Sequence, residues 1–162
     1  MTTLNTFHGM NRPVRIKVNI TTGARYFRLD ISKIRTPGVN YMQISELIFL
    51  YNGVIVPSSG AVVTDSQSKY DGEGSPLVFD NNLWTKWLAY SVPVSLFIAF
   101  SSSIKMNQYQ FVTGNDTPGR DPVSWILYSS PDKITYTAIS KQQDFVMPTD
   151  RTAYTSIIST SS

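Results

Sequence analysis

The chain has 162 residues, 41% of them apolar and 12% aromatic, with a net charge of +3 and no cysteine. That is enough apolar mass for one domain with its own core. The absence of cysteine excludes disulfides, zinc–thiolate centres and cysteine nucleophiles together.

The charge is uneven. Residues 1–35 carry seven cations (Arg12, Arg15, Lys17, Arg25, Arg28, Lys33, Arg35) against Asp30 alone, and the remainder is net acidic. Such a region suits an anionic partner, and equally a wet strand face, because Arg15 and Lys17 alternate with apolar residues. Residues 1–12 read as an arm, flexible or bound to a partner. The first 20 residues contain no apolar run of signal-peptide length. The longest apolar stretch, "VPVSLFIAF", is interrupted by Pro93 and is too short to span a bilayer. The expectation is a protein made in the cytoplasm, with no membrane insertion.

In chain order, the strand-like runs are 14–20 "VRIKVNI", 24–34 "ARYFRLDISKI", 41–51 "YMQISELIFLY", 94–100 "VSLFIAF", 104–114 "IKMNQYQFVTG", 124–130 "SWILYSS" and 134–140 "ITYTAIS". A last run lies near 153–158. Turn-forming clusters separate them ("TPGVN", "YNG", "DGEGSP", "NDTPGRDP", "SPDK"), and no long segment shows helical spacing. This pattern predicts an all-β sandwich of one domain, with residues 1–23 as a basic arm and first strand and 24–162 as the sandwich. Residues 57–93 have little periodicity and read as a long functional loop.

In the run 41–51, alternation puts Met42, Ile44, Ile48 and Leu50 on one apolar face, and Glu46 falls among them. A carboxylate there needs an arginine, hydrogen-bond donors or a cation. "PLVFDNNLWTKW" offers Asp80, Asn81, Asn82 and Thr85 within a few residues. Hard cations such as calcium take six to eight oxygens of this kind. Glu46 would then close the shell from a distant strand. The spacing alone fits a plain hydrogen-bonded turn as well.

Three stretches carry a resemblance: "GEGSPLVFDNNLWTKW", "VTGNDTPGRDPVSWILYSSPDKITYTAI" and "ARYFRLDISKIRTPGVNYMQISELIFLYNG". Together they resemble the discoidin family (coagulation-factor type C, galactose-binding-like modules) over most of residues 24–140. The family's closing hairpin comes first here. The resemblance therefore implies a circularly permuted jelly roll, and also a structural calcium held by Asp80, Thr85 and Glu46 with carbonyls near Leu77 and Asn82. The family's glycine after the aspartate is Asn81 here, a residue that tolerates a left-handed backbone.

Arg120 and Asp121 in "PGRDPVSW" look like a signature: the arginine reads either as ligand-facing or as a clamp on its own loop, forking to a carboxylate or carbonyls. Carbohydrate modules stack aromatic rings on sugars, and Trp84, Tyr70 and Tyr90 are the candidates; each could instead pack on the end of the sandwich. Trp87 and Trp125 read as core. His8 is the lone histidine, and no triad, phosphate loop or nucleic-acid signature is visible. The expectation is a non-enzymatic interaction protein with no nucleic-acid partner. One form is a structural component of a phage virion, decorating the capsid or associated with the tail, whose partners are other virion proteins or copies of itself. The alternative is a lectin-like module that binds cell-surface carbohydrate.

Overall fold

The structure, a computed structural model, describes residues 23–67 and 71–161. The expected arm (1–12), the expected strand 14–20, His8 and Tyr70 lie outside the described residues. The rest is an all-β sandwich. A five-stranded antiparallel sheet has the order β10-β9-β1-β7-β5, built from β1 (Ala24–Ile34), β5 (Val62–Asp65), β7 (Val94–Ile104), β9 (Pro122–Ser130) and β10 (Thr137–Gln142). A four-stranded sheet has the order β11-β8-β3-β4, from β3 (Glu46–Tyr51), β4 (Val54–Ile55), β8 (Gln108–Val112) and β11 (Ile158–Ser159). A short pair joins β2 (Met42–Ile44) to β6 (Trp87–Ala89).

Aromatic rings knit the two large sheets together. Phe27 of β1 lies 4.9 Å from Phe49 of β3, and Trp125 of β9 lies 4.9 Å from Phe111 of β8. The Trp125 indole N–H donates to the Tyr109 hydroxyl at 2.8 Å, so the one polar atom on that buried ring is satisfied. Trp87 and Trp125 are both in the core, as expected.

The run 24–34 forms a strand over its full length, but the run 41–51 does not stay in one phase. Ser45 interrupts it. Its N–H donates to the Val112 carbonyl at 2.9 Å and its hydroxyl to the Leu83 carbonyl at 3.1 Å. Met42 and Ile44 face the core before the break, and Leu47 and Phe49 after it. The expected single face of Met42, Ile44, Glu46, Ile48 and Leu50 is therefore wrong. One irregular residue flips the parity of everything beyond it.

Residues 57–93 are also not the structureless loop expected. They hold β5, β6 and a short 3₁₀ helix, η1 (Ser75–Phe79). Elements of three to five residues are too short for periodicity to register. The expected strand 104–114 shrinks to β8, because β7 runs on to Ile104, and 134–140 slides to 137–142, leaving Ile134 84% exposed.

Candidate functional site

At one end of the sandwich the loop after η1 meets the start of β3. Asp80 caps η1, its N–H reaching the Leu77 carbonyl at 3.4 Å. Asn81 then takes a left-handed backbone, φ 59°. Asparagine tolerates that region better than most residues. The turn sends the Asn82 N–H to two acceptors at once: Asp80 Oδ1 and Glu46 Oε1, each at 2.9 Å. The Thr85 hydroxyl closes the ring, 2.7 Å from Asp80 Oδ2 and 2.8 Å from the Asn82 carbonyl.

Glu46, Asp80, Asn82 and Thr85 are thus brought together, with the Leu77 carbonyl beside Asp80. Glu46 is 3% exposed. Burial, the hydrogen bond shared with Asp80 and that carboxylate's charge push its pKa up to about 7, and the N–H groups of Asn82 and Asn81 only partly offset this. Its partner is another acid, not a base. Lys86, the cation that follows this loop, is engaged elsewhere: its ammonium lies 3.2 Å from Glu73, 2.8 Å from Asn115 Oδ1 and 3.0 Å from Asp116.

Two carboxylates side by side, a hydroxyl and peptide carbonyls form an all-oxygen donor set. Among the described residues no group of three or more His, Cys, Asp or Glu that could hold a metal ion occurs. These are oxygens of the kind a hard cation takes, and here Glu46 Oε1, both Asp80 oxygens, the Thr85 hydroxyl and the carbonyls of Asn82 and Leu77 are all engaged in hydrogen bonds within the turn.

The ligand candidates sit beside this cluster. Trp84 is 72% exposed, although its main chain is fixed on both sides. Its N–H donates to Asn82 Oδ1 at 3.1 Å, and its carbonyl accepts from Asn115 Nδ2 at 2.6 Å. Asn115 and Asp116 lead to Arg120, whose guanidinium lies 3.7 Å from Asp116 and 5.1 Å from the centre of the Tyr41 ring. Tyr41 in turn packs 6.0 Å from Tyr90, which is 42% exposed. A continuous chain of contacts therefore links Trp84, Arg120 and Tyr90. Gly119 permits this loop to lie down, since a Cβ there would come within 2.8 Å of Thr36 Oγ1.

Scanned against protein-family models, the chain matches none. Comparison with curated proteins and with solved structures likewise finds no match.

Of the residues that hold this end together, the sequence singles out Asp121 in "PGRDPVSW" but neither of its arginine partners. Asp121, fully buried, is gripped by two arginines from distant segments. Arg151 is bidentate, at 2.9 and 2.7 Å, and Arg35 adds a third contact at 2.9 Å. Arg35 also reaches the carbonyls of Met147 and Pro148 at 3.1 and 2.6 Å. The clamp in "PGRDP" is centred on the aspartate, while Arg120 points to Asp116 and Tyr41. No local signal names Arg35 or Arg151, because the bonds span 86 and 30 residues.

Proposed function

We propose that the protein is a non-catalytic binding module that recognises carbohydrate at the loop end of the sandwich. The observation that supports this most is Trp84, a large ring 72% exposed on a backbone held by Asn82 and Asn115. An aromatic face fixed in water suits stacking on the apolar face of a sugar, and a fixed backbone lowers the ordering cost of binding. Asp and Asn side chains around it are suited to sugar hydroxyls. Calcium at Glu46, Asp80 and Thr85 would be structural, fixing the loop that carries the ring. This reading agrees with the resemblance to discoidin-like jelly rolls.

On a glycan array the protein is expected to bind a restricted set of sugars. Trp84→Ala should lose roughly tenfold or more in affinity with the melting temperature unchanged. Absence of binding, or binding indifferent to that substitution, would remove the assigned site.

A second reading is a structural part of a phage particle, capsid-decorating or tail-associated. Its support is the apolar hairpin tip, Val54 at 70% and Ile55 at 62% exposure, which suits packing against another subunit. Expressed with its neighbouring genes, the protein should then co-sediment with capsids or tails, and Val54→Asp/Ile55→Asp should release it. A protein that stays monomeric and free of particles refutes this reading. Both hold together in a receptor-binding fibre.

A further inference from the structure

Strands that alternate evenly give a sheet a smooth outer face. Near one end of the five-stranded sheet, irregularities on both sides of β9 hollow that face out. In β1 the pairing with β9 slips on either side of Lys33. Ile31 and Ile34 are buried, while Ser32 and Lys33 between them both turn to water. In β10 the pairing with β9 slips between Ala138 and Ser140. Bulges of this kind bend a strand and re-aim its side chains. Beyond β10, Asp144 takes a left-handed backbone, φ 49°, and its N–H donates to the Ser124 hydroxyl at 3.1 Å. That bond folds the chain back against β9. The result is a groove of about 530 Å³, inside the range of small-molecule sites, roughly 300–1,000 Å³. Ser124 and Ile126 of the middle strand form its floor, Ser32 and Lys33 one wall, and residues 141–144 the other.

We propose that this groove is a second binding site, for a saccharide that carries an acidic group. Three charged side chains line it: Lys33, Lys141 and Asp144. Lys33 and Asp144 neutralise each other from wall to wall, 2.5 Å apart. Lys141 is left over, with no acid paired to it among the described residues. It stands opposite Ile126, whose neighbour on the far side is Asp30. Asp30 is already taken, by Arg28 at 3.2 Å and the Ser95 hydroxyl at 2.7 Å. One surplus positive charge therefore sits beside an apolar floor. A nucleic acid asks for a row of cations along its phosphates. A peptide that adds to a sheet asks for an unpaired edge, and β9 is bonded on both sides. A sugar needs neither. Its C–H face suits Ile126, its hydroxyls suit Ser32, Gln143 and the Asp144 carboxylate, and its acid group suits Lys141. None of the residues lining the groove belongs to the turn 80–87, so this site does not rest on the one at Trp84.

Titration calorimetry of the whole chain with three disaccharides tests this: one ending in glucuronic acid, its neutral glucose counterpart and a sulfated form. The uronic or the sulfated sugar should bind roughly tenfold more tightly than the neutral one, and the tighter of the two identifies the acid group. Lys141→Gln should remove that preference and leave the melting temperature unchanged, because the side chain is exposed. Trp84→Ala should keep the preference, whatever it does to neutral glycans at the loop end. Equal affinity for the three sugars, or binding of none, would overturn the proposal, as would a preference that survives Lys141→Gln. A preference lost in Trp84→Ala would put the acid group at the loop end, overturning the groove while sparing the loop-end reading. An acidic peptide bound as tightly as the acidic sugar would show plain charge attraction, and the proposal would fall with it.

Discussion

Replacing Asp121 with alanine is expected to cost about 3–5 kcal/mol of stability, the range for breaking a buried ion pair by removing one partner. The carboxylate is fully buried and takes three guanidinium contacts, from Arg35 and Arg151. Its removal leaves two like charges facing each other at the base of the loops. Their side chains are 26% and 20% exposed, so water recovers part of the loss and the lower end of the range applies. In thermal unfolding this corresponds to a fall of roughly 10 °C for a domain of this size. Arg151→Lys keeps the charge but loses the fork, and should fall between the wild type and Asp121→Ala. A double-mutant cycle between Asp121 and Arg151 isolates the pair. A cost below about 1 kcal/mol for Asp121→Ala would show that the clamp does not hold this end together.

The second large effect belongs to Glu46, and the proposed calcium would reverse its sign. Without the ion, the folded-state pKa of about 7 lies above the ordinary 4.5. Ionising Glu46 against Asp80 then opposes folding. Stability from this group is complete below pH 4.5 and is lost as the pH rises through 7, on the order of 3 kcal/mol in all. Chelated protein should therefore melt at a higher temperature at pH 5 than at pH 8, and Glu46→Gln should flatten that slope. On the proposed reading, calcium would take over the role of the proton. At a hundred times its dissociation constant it would add about 2.7 kcal/mol, felt most at pH 8, above the folded-state pKa of Glu46. Neither Glu46→Gln nor Asp80→Asn should respond to it. A melting temperature indifferent to chelator at pH 8 in all three proteins would dismiss the ion. A pH slope surviving in Glu46→Gln would place the titrating group elsewhere.

Much of the frame is legible in local pattern. The run 24–34 reads as a strand and is one, since apolar residues every second position need nothing distant to be recognised. The oxygen cluster is legible because Asp80, Asn82 and Thr85 lie in one turn and only Glu46 comes from afar. The parity of Glu46 is not legible: it depends on Ser45 bonding to Val112 and Leu83, two partners that folding brings in. Asp121 stands out in "PGRDPVSW", but its partners Arg35 and Arg151 are opaque for the same reason, as no spacing rule links positions that meet only across the sandwich. Trp84 reads equally as packed or exposed until the bonds from Asn82 and Asn115 are seen.

Had β2 continued into β3 without a break, Glu46 would have followed Met42 and Ile44 inward, into the company of Phe27 and Phe49. The phase slip at Ser45 turns it outward toward the turn at Asn82 instead. The acidic pocket and the aromatic interior are therefore two outcomes of one backbone irregularity. Ser45, with no charge and no contact to Asp80 of its own, is the residue on which the location of the acidic pocket depends.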